Sequence, residues 1–145
     1  MEITLEINID LSRDTVLERY FCWENLALWW KDFISAEHIG GEDGQAGATY
    51  RSIATFEGTP STYTLTILKN ELPDAFEQVV QFEHVQLQQT IRHTFQVLEA
   101  GATQWKAWHR LSGNDLPHIK DPGFRQMMLD QMTAFKAFAE KPGVN

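Results

Sequence analysis

The most constraining feature of this sequence is a long run of strand-like segments that no helical segment interrupts. From Thr49 to about Gly113, short stretches of strand character follow one another. Only brief turn signals separate them, at residues 57–60, 72–74, 83–85 and 100–102. Parallel strands need crossover connections of a dozen or more residues, and none is present here. The region is therefore predicted to be an antiparallel meander in which each strand pairs with its sequence neighbour.

The N-terminal segment is predicted to add one strand and two short helices. Residues 2–10 alternate strictly between apolar and polar types, as in a strand with one face on a core. Ser12 offers a helix N-cap, and apolar residues then recur at helical spacing as far as Phe21. A second short helix, rich in aromatic residues, is expected to continue to Trp30.

The C-terminal segment is predicted to be one long helix from Pro122 to Lys141, stopped by Pro142 and Gly143. Its apolar stripe consists of Phe124, Met128, Met132, Phe135 and Phe138. No other element has a stripe wide enough to cover the inner face of the meander. The fold class is thus predicted to be α+β, with a curved seven-stranded antiparallel sheet wrapped on this helix. Because such a sheet curves farther than one helix can fill, we expect a cavity between them.

Residues that face each other across an antiparallel hairpin lie on the same face of the sheet, which makes the registers testable. In the last hairpin, pairing inward residues with one another predicts Trp105 opposite Val97 and His109 opposite His93. In the other three hairpins the same condition pairs Phe76 with His93, Leu65 with Phe82, and Tyr50 with Ile67.

The inner face predicted in this way is not uniformly aliphatic. Its polar members are Tyr50, Ser52, Tyr63, Gln78, Gln89, His93 and His109. Burying an unpaired amide or imidazole costs about 1–3 kcal/mol, so these groups either satisfy one another or face water or a ligand. A mostly apolar pocket with a few polar groups is typical of a small-molecule site. The candidate ligand-binding residues are these seven together with Phe95, Trp105, Met128 and Met132.

Three interpretations of His93 and His109 remain open. They are neutral pocket residues with local hydrogen bonds, or one of them is a general acid/base or binds a ligand carbonyl, or they ligate a metal. No Asp, Glu or Cys shares the predicted face, so neither a metal nor another cofactor is expected. Cys22 lies among aromatic residues, where a thiol is usually inert, and catalytic residues cannot be assigned.

Composition and charge narrow the classes of partner. The net charge of −8 argues against a nucleic-acid-binding surface, which needs clusters of cations. Neither a membrane span nor a secretory signal is expected, and the single cysteine fits a reducing cytoplasm. The glycines of residues 40–47 lack the Lys of a phosphate-binding loop and carry two acidic residues, which favours a simple turn.

The order of these elements, together with three local features, is similar to a known superfamily. The first feature is the helical segment of residues 15–21 and 24–30, which ends in a pair of tryptophans. The others are the glycines at 40–47 before Tyr50 and the apolar stripe of the last helix. The chain resembles the START-like, or SRPBCC, superfamily, which includes Bet v 1-like, polyketide cyclase/dehydratase-like and Hsp90-ATPase-activator-like proteins. The resemblance implies one helix-grip domain over residues 1–145, with a cavity between the sheet and the long helix. It transfers no catalytic residue.

Three functions follow from the residues and from the resemblance. The main hypothesis is a cytoplasmic domain that binds a small lipophilic or amphipathic molecule, with a homodimer as a possible assembly. The alternatives are a polyketide cyclase/dehydratase-like enzyme that uses a pocket histidine as acid/base, and a protein-interaction module like the Hsp90 activators. The last of these predicts a filled core and an exposed apolar patch around Trp29 or Trp30.

Overall fold

A computed structural model describes residues 1–143 as a seven-stranded antiparallel sheet with three α-helices. The predicted end of the domain at residue 145 lies outside the described residues. The strands are β1 (Glu2–Ile9), β2 (Phe33–Gly40), β3 (Thr49–Phe56), β4 (Thr59–Glu71), β5 (Ala75–Phe82), β6 (Gln88–Val97) and β7 (Thr103–Ser112). The helices are α1 (Arg13–Tyr20), α2 (Trp23–Trp29) and α3 (Asp121–Ala139). The sheet order β1-β7-β6-β5-β4-β3-β2 is a meander from β2 to β7, with β1 added beside β7. The predicted α+β architecture is confirmed.

The two short helices form where the sequence predicts them. The Ser12 hydroxyl accepts a hydrogen bond from the Thr15 backbone N–H at 3.3 Å, which satisfies one of the free donors of the first turn of α1. The Arg19 guanidinium donates to the carbonyl of Ala139, which fixes the end of α1 to the end of α3. The short helices therefore close one end of the space between the sheet and α3.

The predicted inner face is correct, but the predicted register is wrong by two residues in the last hairpin. Phe95 lies opposite Trp105, and His109 lies opposite Ile91 rather than His93. The predicted turn was centred on Gly101, whereas the loop is centred on Ala100, and both residues have positive φ. A shift by two residues leaves every side chain on its original face, which is why the inner face survives the error.

Of the other three hairpins, one has the predicted register and two differ from it by two residues. The pairing of Phe76 with His93 is confirmed. Two predicted pairings are wrong by two residues. Tyr50 lies opposite Leu65 instead of Ile67, and Leu65 lies opposite Val80 instead of Phe82. Between β3 and β4, a tight two-residue turn at 57–58, with both φ values positive, sets the register.

Helix α3 covers only part of the inner face. Its predicted stripe is buried from Phe124 to Phe135, but Phe138 is half-buried and Ala139 takes its place in the core. These residues share one core cluster with side chains of β1, β6 and β7. The inner faces of β3, β4 and β5 instead contribute to two smaller clusters. The sheet therefore has a covered half and a half that α3 does not reach.

Replacing Phe135 with Ala tests the central contact of this packing. Its side chain is 0% exposed, with the rings of Tyr20, Trp29 and Trp105 at centroid distances of 5.1, 5.4 and 5.6 Å. We expect Phe135→Ala to lower the free energy of unfolding by about 3–5 kcal/mol, measured by urea denaturation. The matched control, Phe138→Ala, removes a half-buried ring of the same size and should cost clearly less. Equal losses would contradict this description of the core.

Candidate ligand-binding cavity

A cavity of about 430 Å³ lies between the uncovered half of the sheet and the three helices. Ligand sites in proteins usually measure about 300–1,000 Å³, so the cavity is large enough for a small organic molecule. Its apolar wall comes mainly from the inner faces of the central strands, with Leu65, Ile67, Val80, Phe82 and Ile91 among its members. The cavity is a direct result of the limited reach of α3.

The structure brings the predicted ligand-binding residues together around this cavity, with one exception. The residues that line it are Tyr50, Ser52, Tyr63, Gln78, Gln89, His93, Trp105, His109, Met128 and Met132. Phe95 does not line it, because its ring is stacked on the Trp105 ring at 6.3 Å and is enclosed in the core. That these side chains bind a ligand stays a prediction.

His93 is held as a neutral imidazole. It is 3% exposed, and the Trp105 indole N–H donates to its Nδ1 at 3.0 Å. Because an indole nitrogen only donates, Nδ1 is the acceptor and the imidazole proton lies on Nε2. Burial lowers the pKa of His93 from 6.5 to about 3, with a smaller contribution from His109. The Nε2 atom is buried and has no hydrogen-bond partner among residues 1–143.

His109 has an equivalent arrangement with a different donor. The amide nitrogen of Gln89 lies 2.9 Å from its Nδ1 and also 3.5 Å from the Met128 sulfur. Since an amide nitrogen only donates, Nδ1 of His109 accepts and its proton also lies on Nε2. Burial lowers the pKa of His109 from 6.5 to about 4. Both imidazoles are therefore uncharged at neutral pH.

The two imidazoles do not face each other across β6 and β7 as predicted, but both line the cavity. Their geometry matches the first of the three interpretations, that of neutral rings with local hydrogen bonds. Within the part of the chain that the structure describes, no three His, Cys, Asp or Glu side chains are grouped so as to hold a metal ion.

The Gly-rich loop contributes exposed Asp43 and its neighbour Gly44 to the cavity lining, and this exposed edge is the mouth of the cavity. The sequence interpretation of the loop as a simple turn did not include this role. The Tyr50 hydroxyl donates to the Asp43 carboxylate at 2.5 Å and accepts from the Gly44 backbone N–H at 2.8 Å. The Asn70 amide donates to the Gly44 carbonyl at 2.8 Å. The Trp23 ring packs on the Tyr50 ring at 5.2 Å. Together these contacts hold the loop against β3 and β4 beside the cavity.

Tyr20, Trp29 and Trp30 also line the cavity. The sequence analysis does not include them among the candidate ligand-binding residues. The Tyr20 ring lies between Trp29, at 5.9 Å, and His93, at 5.6 Å, and burial raises the pKa of its hydroxyl. Trp29 is buried, Trp30 is half-buried, and both line the cavity. The indole N–H of Trp29 is a second buried donor without a partner among residues 1–143. The only sequence signal for these positions was the density of aromatic residues at the ends of the two short helices.

The curved sheet, the long helix and the cavity between them define a START-like, or Bet v 1-like, helix-grip fold. No family model matches the sequence, and no curated protein is significantly similar to it.

Within residues 1–143, no helix combines the length and apolar character needed to cross a membrane.

Solved structures with this fold are similar over almost the whole chain. A START superfamily protein from Mycobacterium smegmatis has a TM-score of 0.80 and 11% identity, covering 96% of this chain and 97% of that one. Ara h 8.0201 has a TM-score of 0.78 and 12% identity, covering 96% and 97%. The Zhui aromatase/cyclase from Streptomyces sp. R1128 has a TM-score of 0.74 and 14% identity, covering 97% and 93%. At such identities the likeness establishes the fold alone.

The low pKa values of the two imidazoles predict a loss of stability in mild acid. The unfolded chain, with pKa values near 6.5, binds more protons than the folded chain, whose values are about 3 and 4. The free energy of unfolding should therefore fall as pH falls below about 6.5, with a slope approaching about 1.4 kcal/mol per pH unit for each imidazole.

Urea denaturation between about pH 7 and pH 5 measures this slope above the range in which most carboxylates titrate. We expect His109→Phe to remove roughly half of the slope, in keeping with one imidazole of two. The control His84→Gln alters a side chain that is 85% exposed and should leave the slope unchanged. A pH-independent stability of the wild type over this range would show that the imidazoles are not buried as described.

Proposed function

We propose that this protein binds one small, mostly apolar molecule in the cavity between the sheet and α3. The observation that carries the proposal is the space of about 430 Å³ that α3 leaves unfilled. A soluble domain normally packs its core to crystal-like density, so a void of this size is not required by folding. Its apolar wall with a few polar groups is the usual composition of a small-molecule site.

The charges around the cavity favour an uncharged ligand. Among the described lining residues, Asp43 is the one Asp, Glu, Lys or Arg side chain, and it is hydrogen-bonded to Tyr50 at the mouth. His93 and His109, farther inside, are neutral. A charged group in the cavity would lose its hydration without gaining an opposite charge, which is costly in free energy.

A second candidate function is catalysis of the cyclase or dehydratase type. It is favoured by the fold that this chain shares with the Zhui aromatase/cyclase. Acid/base catalysis by His93 or His109 is less well supported, because an effective acid or base has a pKa near the working pH and theirs are about 3 and 4. Each Nδ1 is also already occupied by a protein donor. Binding is therefore the function that the geometry favours.

The third candidate, a protein-interaction module, fits less well. It predicts a filled core and an exposed patch around Trp29 or Trp30, whereas Trp29 is buried and Trp30 is half-buried against a cavity. A single domain over the chain, a cytoplasmic location, a homodimer and the absence of a nucleic-acid partner stay predictions. The net charge of −8 supports the last of these.

Native mass spectrometry of freshly purified protein tests the binding proposal directly. We expect a second set of peaks, heavier than the chain by the mass of one small molecule, that disappears on denaturation. Titration with a panel of lipophilic fluorescent dyes gives an independent measurement on protein that has lost its ligand. An unliganded mass together with no dye binding would overturn the proposal.

Filling the cavity from the sheet side should weaken binding without unfolding the protein. Leu65 is half-buried and points into the cavity, whereas its neighbour Thr64 lies on the other face of β4. We expect Leu65→Trp to weaken dye binding on the order of tenfold or more, equivalent to about 1.4 kcal/mol. Thr64→Trp, which adds the same ring outside the cavity, is the matched control. Equal binding by both variants would place the dye elsewhere.

A further inference from the structure

Two of the side chains that line the cavity, His93 and Trp29, carry buried hydrogen-bond donors that residues 1–143 do not satisfy. Nε2 of His93 carries a proton, because Nδ1 accepts from Trp105, and Nε2 is buried without a partner among residues 1–143. The indole N–H of Trp29 is also buried and has no hydrogen-bond partner among these residues. The described structure contains no other buried side-chain nitrogen or oxygen that lacks a partner. Such groups are rare in folded proteins and call for an explanation.

His109 adds a further donor from the same sheet. Its Nδ1 is occupied by the Gln89 amide, so its proton also lies on Nε2. It is 5% exposed and lines the cavity, as His93 does. His93 lies opposite Ala107 of β7, so His109, two residues farther along β7, is its diagonal neighbour on the inner face. Two neutral imidazoles on neighbouring strands therefore line the same cavity.

The missing partner must be an acceptor. A ligand hydroxyl or amine would bring donors as well, whereas a carbonyl oxygen brings two acceptor lone pairs and no donor. A carboxylate would also accept, but no cation lines the described cavity to balance its charge. The rings of Tyr20, Trp29 and Trp105 form part of the wall, which suits a flat, conjugated molecule.

We propose that the ligand is a neutral, apolar molecule bearing a ketone-type carbonyl, and that the Nε2–H groups of His93 and His109 bind its oxygen. This inference rests on the proposed function, since it specifies what the same cavity recognises. The Trp105 and Gln89 donors act as positioning groups, because they hold each imidazole in the form that donates. The imidazoles recognise the carbonyl by hydrogen bonding, and the proposal includes no covalent step.

Two probes with the same ring skeleton separate recognition of the carbonyl from apolar binding. Fluorenone and fluorene differ by a carbonyl in place of a methylene, and quenching of tryptophan fluorescence reports their dissociation constants. We expect fluorenone to bind about tenfold more tightly, the effect of a hydrogen bond that relieves a buried unpaired donor. Fluorene-9-carboxylate tests the charged alternative and should bind more weakly than fluorenone.

Variants assign the preference to the imidazoles. We expect His93→Phe and His109→Phe each to reduce the fluorenone-to-fluorene ratio severalfold. The control His84→Phe removes an exposed imidazole that does not line the cavity and should leave the ratio unchanged. If both probes bind the wild type equally, the carbonyl inference is overturned while the binding proposal stands. If neither probe binds and no small molecule co-purifies, the binding proposal itself fails.

Nitrogen-15 NMR of the wild type gives a readout that does not depend on how well the variants fold. Both buried imidazoles should carry their proton on Nε2, and the Nε2–H resonances should shift downfield with fluorenone but not with fluorene. The exposed His84 serves as an internal reference that neither probe moves. A proton on Nδ1 of His93, or Nε2–H signals that fluorenone leaves in place, would overturn the inference.

Discussion

One helix has to cover the inner face of a seven-stranded sheet, and the rest of the structure depends on this mismatch in width. Side chains of α3 meet β1, β6 and β7 in a single core cluster centred on Phe135, whose side chain is completely buried. Beyond that cluster, the sheet continues to curve through β5, β4 and β3, whose two core clusters contain no residue of α3. The two short helices close the end of this space rather than fill it. The architecture thus leaves room for a cavity, and the side chains of the inner face determine how much of that room stays open.

The architecture could be predicted from the sequence because the signals that define it tolerate small errors. Alternation along a strand has a period of two, so the inward position of Trp105 and His109 survives a register error of two residues. The absence of a helical segment between Thr49 and Gly113 excluded parallel connections without any knowledge of the turns. The α3 stripe was equally robust, and only its last turn differs, where Ala139 replaces Phe138 in the core.

The relations between particular side chains could not be predicted, because they depend on backbone detail at the turns. Positive φ at Ala100 and Gly101 centres the last loop one residue earlier than its glycine suggests. That small difference places His109 opposite Ile91, and the hydrogen-bond partner of His93 is Trp105. The contact of Tyr50 with Asp43 likewise depends on how the Gly-rich loop folds back, and no spacing in the sequence encodes it.

In the proposed function, the buried imidazoles connect stability to ligand binding through the same hydrogen bonds. An unsatisfied donor such as Nε2–H of His93 costs the empty protein about 1–3 kcal/mol, and a void forfeits dispersion contacts along its wall. Replacing these groups with well-packed aliphatic side chains would give a more stable but closed core. A ligand that brings an acceptor and apolar surface offsets both losses at once, and binding to the folded state alone stabilises that state. The sites where this chain departs from ideal packing are thus the sites where a ligand gains most by binding.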